Sequence, residues 1–272
     1  MTAYLCTTCG VQHTDAPEPP DACPICGDER QYVGHDGQGW TTLAALGREH
    51  RARVEVQEPG LVGVGTDPGF AIGQRALLRQ GPGGNLLWDC VPLLDDVREA
   101  IEAAGGVDVV ALSHPHFQST AAEWAEAFDA RVLVHADDAR WTMRPHRRIE
   151  TWEGERIEPV AGTALVRTGG HFAGSAVCHF PDAAEGRGAL LTGDTVQVVA
   201  DRRRVGFMRS YPNLIPLSAT AVARIADALA PLAFDRLYGG WWERVVPAGA
   251  AEAVRASAAR HVAALEGRYD GV

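Results

Sequence analysis

Lysine is absent from this 272-residue sequence, and all 25 of its basic side chains are arginine. In a chain rich in alanine and glycine this is a signature of codon usage in a GC-rich genome and carries no functional weight. Also missing is any apolar run near the roughly 18 residues that a membrane helix requires, which argues against a membrane partner. The opening Met1-Thr2-Ala3-Tyr4-Leu5-Cys6 lacks the basic stretch and apolar core of a secretory signal, so the cytoplasm is the expected compartment. Basic charge is scarce: 35 acidic against 25 basic residues give a net charge of −10 and a pI near 5.4. No basic face is available for phosphates, so nucleic acid is not expected as a partner. A small-molecule substrate is expected, and the oligomeric state is left open. Two local basic clusters, Arg144, Arg147 and Arg148, and Arg202-Arg203-Arg204, read as solvated loop charge before substrate contacts. With 46% hydrophobic residues the chain can fill a sizeable core.

Two motifs carry chemistry. The first is a pair of C-x-x-C-G sequences, Cys6-Thr7-Thr8-Cys9-Gly10 and Cys23-Pro24-Ile25-Cys26-Gly27. Each tight turn brings two sulfurs to one point, and four sulfurs close a tetrahedron around a metal. Disulfides are the competing reading, but a cytosolic chain and the unrelated spacing of Cys90 and Cys178 argue against them. The intervening Asp15-Ala16-Pro17-Glu18-Pro19-Pro20-Asp21 cannot be a helix or a central strand. A module this short has no core of its own, so a metal must hold it together. It resembles zinc ribbons and equally the iron-binding knuckles of rubredoxin-like domains. Structural zinc is the default occupant. Residues 1–39 form this module, with a glycine-rich linker from Gly34 to Gly39, and residues 40–272 form the main domain.

The main domain begins with a short helix around Leu43 to His50. Strand-like runs follow at Ala52 to Gln57, Leu61 to Val64, Ala76 to Arg79 and Asn85 to Cys90, with Gly81 to Gly84 a hairpin turn. Val97, Ile101 and Ala104 mark a helix face, Val107 to Leu112 a buried strand, Trp124, Ala125 and Phe128 another helix, and Arg131 to Val134 a strand. Hairpin-like runs return at Ala164 to Arg167, Ser175 to Phe180 and Ala189 to Leu191. Two amphipathic helices close the chain, one carrying Val222, Ile225 and Leu229, the other Val254, Ala258 and Leu265, with the strand-like Asp235 to Tyr238 between them. Two packed sheets with helices outside, an α/β class, account for this order.

The second motif follows one of those strands: Ser113-His114-Pro115-His116-Phe117-Gln118-Ser119. Two imidazoles at i and i+2 can reach one ion from a turn. Further candidate ligands are His171, on the glycine turn Thr168-Gly169-Gly170, and Asp194, at the end of the apolar strand before Thr192-Gly193. Three imidazoles and one carboxylate complete a donor set for a divalent ion, either zinc or iron.

In that order the residues resemble the metallo-β-lactamase fold superfamily, over roughly residues 41 to 272. The resemblance implies an αββα sandwich with a metal site at one edge of the sheets. It also shows departures. The family's H-x-H-x-D-H motif has Gln118 and Ser119 in its last two places, and Trp241 stands where a final histidine falls. The ligands of a second ion are missing together, which implies one metal held by His114, His116, His171 and Asp194.

One metal can still acidify a water and polarise a carbonyl. Gln118 can orient a water or substrate but cannot take its proton, and Asp194 is the one carboxylate placed in the site, as ligand or as base. The leading expectation is a hydrolase of a small ester, lactone, thioester or amide working through a metal-bound hydroxide. Two alternatives are a mono-iron oxidoreductase supplied with electrons by the knuckle, and a non-catalytic binding protein with a degenerate site. His135 and His261 read as structural histidines, Cys90 and Cys178 as buried small hydrophobes, and Trp241 and Trp242 as core. The loop Ser210 to Pro216 is a candidate pocket wall.

Overall fold

The structure, a computed structural model, describes residues 1–271. Its first sheet has seven strands in sequence order, Arg51–Glu58, Leu61–Asp67, Ala76–Arg79, Leu86–Trp88, Val109–Ala111, Arg131–His135 and Ile149–Trp152. The first four pair antiparallel, with Gly81 to Gly84 in the link between the third and fourth, and the last three add parallel. The switch follows from the connections: the parallel strands are joined through the helices Asp95–Ala103 and Ala121–Phe128 and, for the last pair, through the 3₁₀ segment Ala136–Trp141 and the loop after it, each long enough for a crossover. The second sheet orders Arg156–Ile157, Ala164–Arg167, Ala176–Phe180, Ala189–Leu191, Arg236–Tyr238 and Val245–Val246, antiparallel except where Ala189–Leu191 meets Arg236–Tyr238.

The two sheets face each other across one apolar layer. Leu77, Trp88, Ala111 and Leu133 of the first sheet pack against Leu165, Cys178, Leu191 and Tyr238 of the second. The outer face of the first sheet is covered by Leu46, Val97, Ile101 and Trp124 from three helices. The outer face of the second is covered by Val222, Ile225 and Leu229 of Ala219–Leu229 and by Val254 and Ala258 of Ala250–Leu265. Each layer is an apolar stripe or face removed from water, the dominant favourable term in folding. The architecture is the expected αββα sandwich. Among the described residues no helix is long and apolar enough to cross a membrane.

Some details differ from the sequence reading. Leu265 does not join the helix stripe; it is exposed at the last turn. Several two-residue strands, such as Gln197–Val198 and Val205–Gly206, carry no periodic signal. The stretch from Gly34 to Gly39 is more than a spacer. Gln38 donates from Nε2 to the Cys6 sulfur at 3.1 Å and accepts from the Cys23 amide at 3.2 Å. Trp40–Thr41 then pairs with Leu5–Cys6, so the chain returns to the knuckle before it enters the sandwich.

Candidate metal centres

The four cysteines are all buried and converge, their sulfurs lying within 4.8 Å of one another. Cys6 and Cys26 sulfurs are 3.4 Å apart, and those of Cys9 and Cys23 are 3.7 Å apart. Metal–sulfur bonds of about 2.3 Å in a tetrahedron give sulfur–sulfur edges of about 3.8 Å, so the spacing fits a single ion. Contacts among the four sulfurs split the thiols, lowering Cys6 and Cys23 and raising Cys9 and Cys26, as four groups sharing one tight site must. Val11, Ile25, Trp40 and, from the main domain, Trp141 and Met143 surround the cluster.

The second group forms where both sheets end. His114 follows the strand Val109–Ala111 in extended conformation, and His116 lies in a single 3₁₀ turn, Pro115–Phe117. The proline opens that turn because its fixed φ suits a helical first position. His171 sits on the turn after Ala164–Arg167, where Gly169 and Gly170 both take positive φ. Asp194 follows the buried strand Ala189–Leu191, and Thr192 and Thr195 pin its turn by donating to the carbonyls of Val196 and Gly169.

The ligand atoms of these four residues also lie within 4.8 Å of one another. Asp194 Oδ2 is 3.4 Å from His114 Nε2, 3.7 Å from His171 Nε2 and 3.9 Å from His116 Nδ1. His171 Nε2 and His116 Nδ1 are 3.3 Å apart. Bonds of about 2.0–2.1 Å to one tetrahedral ion give edges of about 3.3–3.4 Å. His114 Nε2 and Asp194 Oδ1 are buried with no hydrogen-bond partner, an arrangement that is costly without a further partner. Spacing, donor chemistry and orphaned atoms all fit a divalent cation.

The electrostatics prepare the same forms. Burial lowers the His116 imidazole to about 4 and the His171 imidazole well below its usual value, with the Asp194 charge opposing in both cases. Burial alone would raise the Asp194 carboxyl, but the adjacent His114 and His116 nitrogens overcome it and hold the group below the carboxylate range. Neutral imidazoles and an ionised carboxylate are the ligating states.

The supporting partners were not visible in the sequence. His171 Nδ1 lies 3.1 Å from the Met208 carbonyl, which leaves Nε2 for the centre. Tyr211 donates to the Asp194 carbonyl at 2.8 Å. His114 Nδ1 lies 2.8 Å from Ser113 Oγ, and the Ser113 amide donates to Asp89 Oδ1 at 2.7 Å. Asp89 is fully buried, and that burial raises its carboxyl to about 7. Asp138 is a further buried carboxylate. It accepts from the Gly174 amide at 3.0 Å, keeps Oδ2 without a partner, and is raised by burial. Of the candidate wall Ser210 to Pro216, Tyr211 borders the centre, and Met208, just ahead of that loop, borders it too.

The remaining candidate residues stand apart from the four ligands. Gln118 is buried, and its Nε2 donates to the Trp141 carbonyl at 3.0 Å. Trp241 donates from Nε1 to the Ile72 carbonyl and sets its ring edge-on to Phe117, which in turn packs on His114. Arg144 pairs with Glu123, and Arg148 with Asp129. His135 Nε2 lies 3.2 Å from the Gly154 carbonyl, and His261 Nε2 lies 3.0 Å from the Leu217 carbonyl. Cys90 and Cys178 are buried, and burial raises both thiols.

Comparison with known proteins identifies the fold and the family. The sequence pattern of the metallo-beta-lactamase superfamily matches residues 73–241. The uncharacterized protein YmaE of Bacillus subtilis (strain 168) is 48% identical over 268 residues, which is 97% of this chain and 97% of that protein. Among solved structures, VMB-1 gives a TM-score of 0.60 at 12% identity over 79% of this chain and 98% of its own. FIM-1 from Pseudomonas aeruginosa, a metallo-beta-lactamase, gives 0.58 at 13% identity over 79% and 96%. An HARLDQ-motif mutant of the metallo-beta-lactamase from Cronobacter sakazakii gives 0.54 at 18% identity over 81% and 99%. The chain belongs to the metallo-beta-lactamase superfamily, a superfamily of metal-dependent hydrolases.

Proposed function

We propose that the protein is a mononuclear metal-dependent hydrolase of a small ester, lactone, thioester or amide, with residues 1–39 as a metal-held module on a catalytic domain of residues 40–272. The observation that carries this reading is the set of single-ion spacings among His114, His116, His171 and Asp194. Where the superfamily pattern places ligands of a second ion, Gln118 and Trp241 are committed to the carbonyls of Trp141 and Ile72. The FIM-1 structure is of a mono-zinc form, which supports a lone ion in such a fold.

When bound, one divalent ion supplies Lewis acidity at a substrate carbonyl and lowers the pKa of a water. The chain's own residues do the rest. Burial keeps His116 and His171 neutral, and all three imidazoles are held in place by their turns, so their nitrogens need little reorganisation. Asp194 would hold the ion through its carboxylate, and an oxygen that the ion does not engage would accept a proton or a hydrogen bond. Phe172 packs on His116 and His171 and excludes water from that side.

The test combines elemental analysis with a hydrolysis panel on the full chain. Two ions per chain, loss of one in His116→Ala, and loss of hydrolysis on chelation are expected. Unchanged metal content in His116→Ala, or a metal-replete protein inert to all four substrate classes, refutes the reading. One observation favours the oxidoreductase alternative: the segment just past Cys26 touches His171 through Arg30. Colour tests it, since a ferric tetrathiolate is red and a zinc one colourless.

A further inference from the structure

The segment Asp28-Glu29-Arg30-Gln31 leaves the last cysteine turn and runs along the rim of the His/Asp centre. Arg30 is buried, and its guanidinium is clasped by Asp28, Nε to Oδ1 at 2.5 Å and Nη2 to Oδ2 at 2.8 Å. It lies 3.9 Å above the Phe172 ring and 5.6 Å from that of Trp141, and Nη1 donates to the His171 carbonyl at 3.4 Å. A planar, always-charged fork suits this combination of carboxylate, ring face and carbonyl.

The same segment holds the other wall. Ser210 Oγ donates to the Arg30 carbonyl at 3.2 Å, Asn213 Nδ2 donates to the carbonyls of Glu29 and Gln31, and Arg209 Nε pairs with Glu29 at 2.9 Å. That wall carries Met208, the partner of the His171 ring, and Tyr211, the partner of Asp194. On the opposite side the Gln12 amide donates to the Ser119 carbonyl at 3.0 Å, three residues past His116. The knuckle therefore spans the centre from the His114–His116 side to the His171–Asp194 side.

We propose that Arg30 is a positioning residue of the His/Asp centre, supplied by the four-cysteine knuckle and acting on His171 through its carbonyl and the adjoining Phe172 ring. This rests on the metal-centre part of the function proposed above. Arg30 fixes the backbone that carries the third ligand, while Asp28 keeps the guanidinium from turning to solvent. Partners one layer behind a ligand commonly change metal affinity 10- to 100-fold.

A cobalt(II) titration of the full chain tests this, because thiolate-bound cobalt and imidazole- and carboxylate-bound cobalt absorb at separable wavelengths. Arg30→Ala is expected to keep the thiolate bands and to weaken binding at the second site about tenfold or more. Arg30→Lys, which keeps a cation over Phe172 without the fork, should fall between the two. Equal second-site affinity in wild type and Arg30→Ala overturns the proposal. Loss of the thiolate bands in Arg30→Ala does so too, since Arg30 would then serve the knuckle alone. A wild-type chain with thiolate bands and no second set refutes the metal-centre reading itself, and this inference with it.

Discussion

Gly193→Ala isolates the contact between the two halves of the His/Asp centre. A Cβ at position 193 would overlap Ser113 Oγ, lie 2.8 Å from Ser113 Cβ and lie 3.0 Å from His114 Nδ1. Rotating the hydroxyl away is not enough, because the Ser113 Cβ is part of the obstruction. Either the Thr192 to Thr195 turn or the Ser113–His114 backbone must move, and both carry a ligand. Overpacking of this kind costs about 1–3 kcal/mol. The loss of glycine freedom in the unfolded chain offsets about 0.4–1 kcal/mol. A net destabilisation of about 1–2 kcal/mol is expected for the metal-free fold, together with at least a tenfold loss of affinity at the His/Asp site as His114 is displaced. Thermal melts with and without metal, paired with chelator competition, measure both quantities. An unchanged metal affinity in a folded Gly193→Ala variant would refute the claim that the two turns fix the ligand geometry by direct contact.

Other expectations follow from the same contacts. Tyr211→Phe removes one hydrogen bond to the Asp194 carbonyl and should lower stability by about 1 kcal/mol, read by denaturant titration, with a weaker second metal site. Gln118→Asp with Ser119→His restores the superfamily's usual letters, yet Trp241 stays on Ile72 and an aspartate would face the Trp141 carbonyl. Metal stoichiometry should therefore stay at two ions per chain, and a third ion would contradict this. Asp89 is raised from 3.8 to about 7 by burial, so the folded metal-free protein holds a proton there that the unfolded chain releases. Its contribution to stability is thus lost as pH rises from about 4 to about 7, by as much as about 4 kcal/mol. Asp89→Asn should flatten that part of the profile, and melts at pH 5 and pH 8 that keep the wild-type slope would exclude this role.

The sequence made the candidate ligands legible because ligand spacing is local. His114 and His116 share one turn, His171 follows paired glycines, and Asp194 ends an apolar strand. Periodicity likewise exposed the helices that bury Val97, Ile101, Val222 and Ile225. Arg30, Met208, Tyr211 and Asp138 were hidden for one common reason. Each matters through a contact with a residue distant in the chain, such as the 141 positions between Arg30 and His171. No local pattern distinguishes them from ordinary polar residues. The shortest strands were hidden because two residues show no alternation, and Leu265 was misplaced because the last helical turn extends beyond the layer it helps to cover.

The two centres also differ in how far apart their ligands lie along the chain, and this sets an order of assembly. Cys6 and Cys26 are 20 positions apart, whereas His116 and His171 are 55 apart and meet only once both sheets exist. Loop closure is entropically cheaper for the shorter span, though by only about 1 kcal/mol. The larger difference is temporal. The cysteines all emerge early in synthesis, so a metal can close the knuckle while the residues of the second centre are still untranslated. The metal-closed turns would then gain the rest of their packing, from Trp141 and Met143 and around Arg30 from His171 and Phe172, when the sandwich forms against them. In a cell short of metal, the first ion captured would go to the cysteines and leave the His/Asp site to wait.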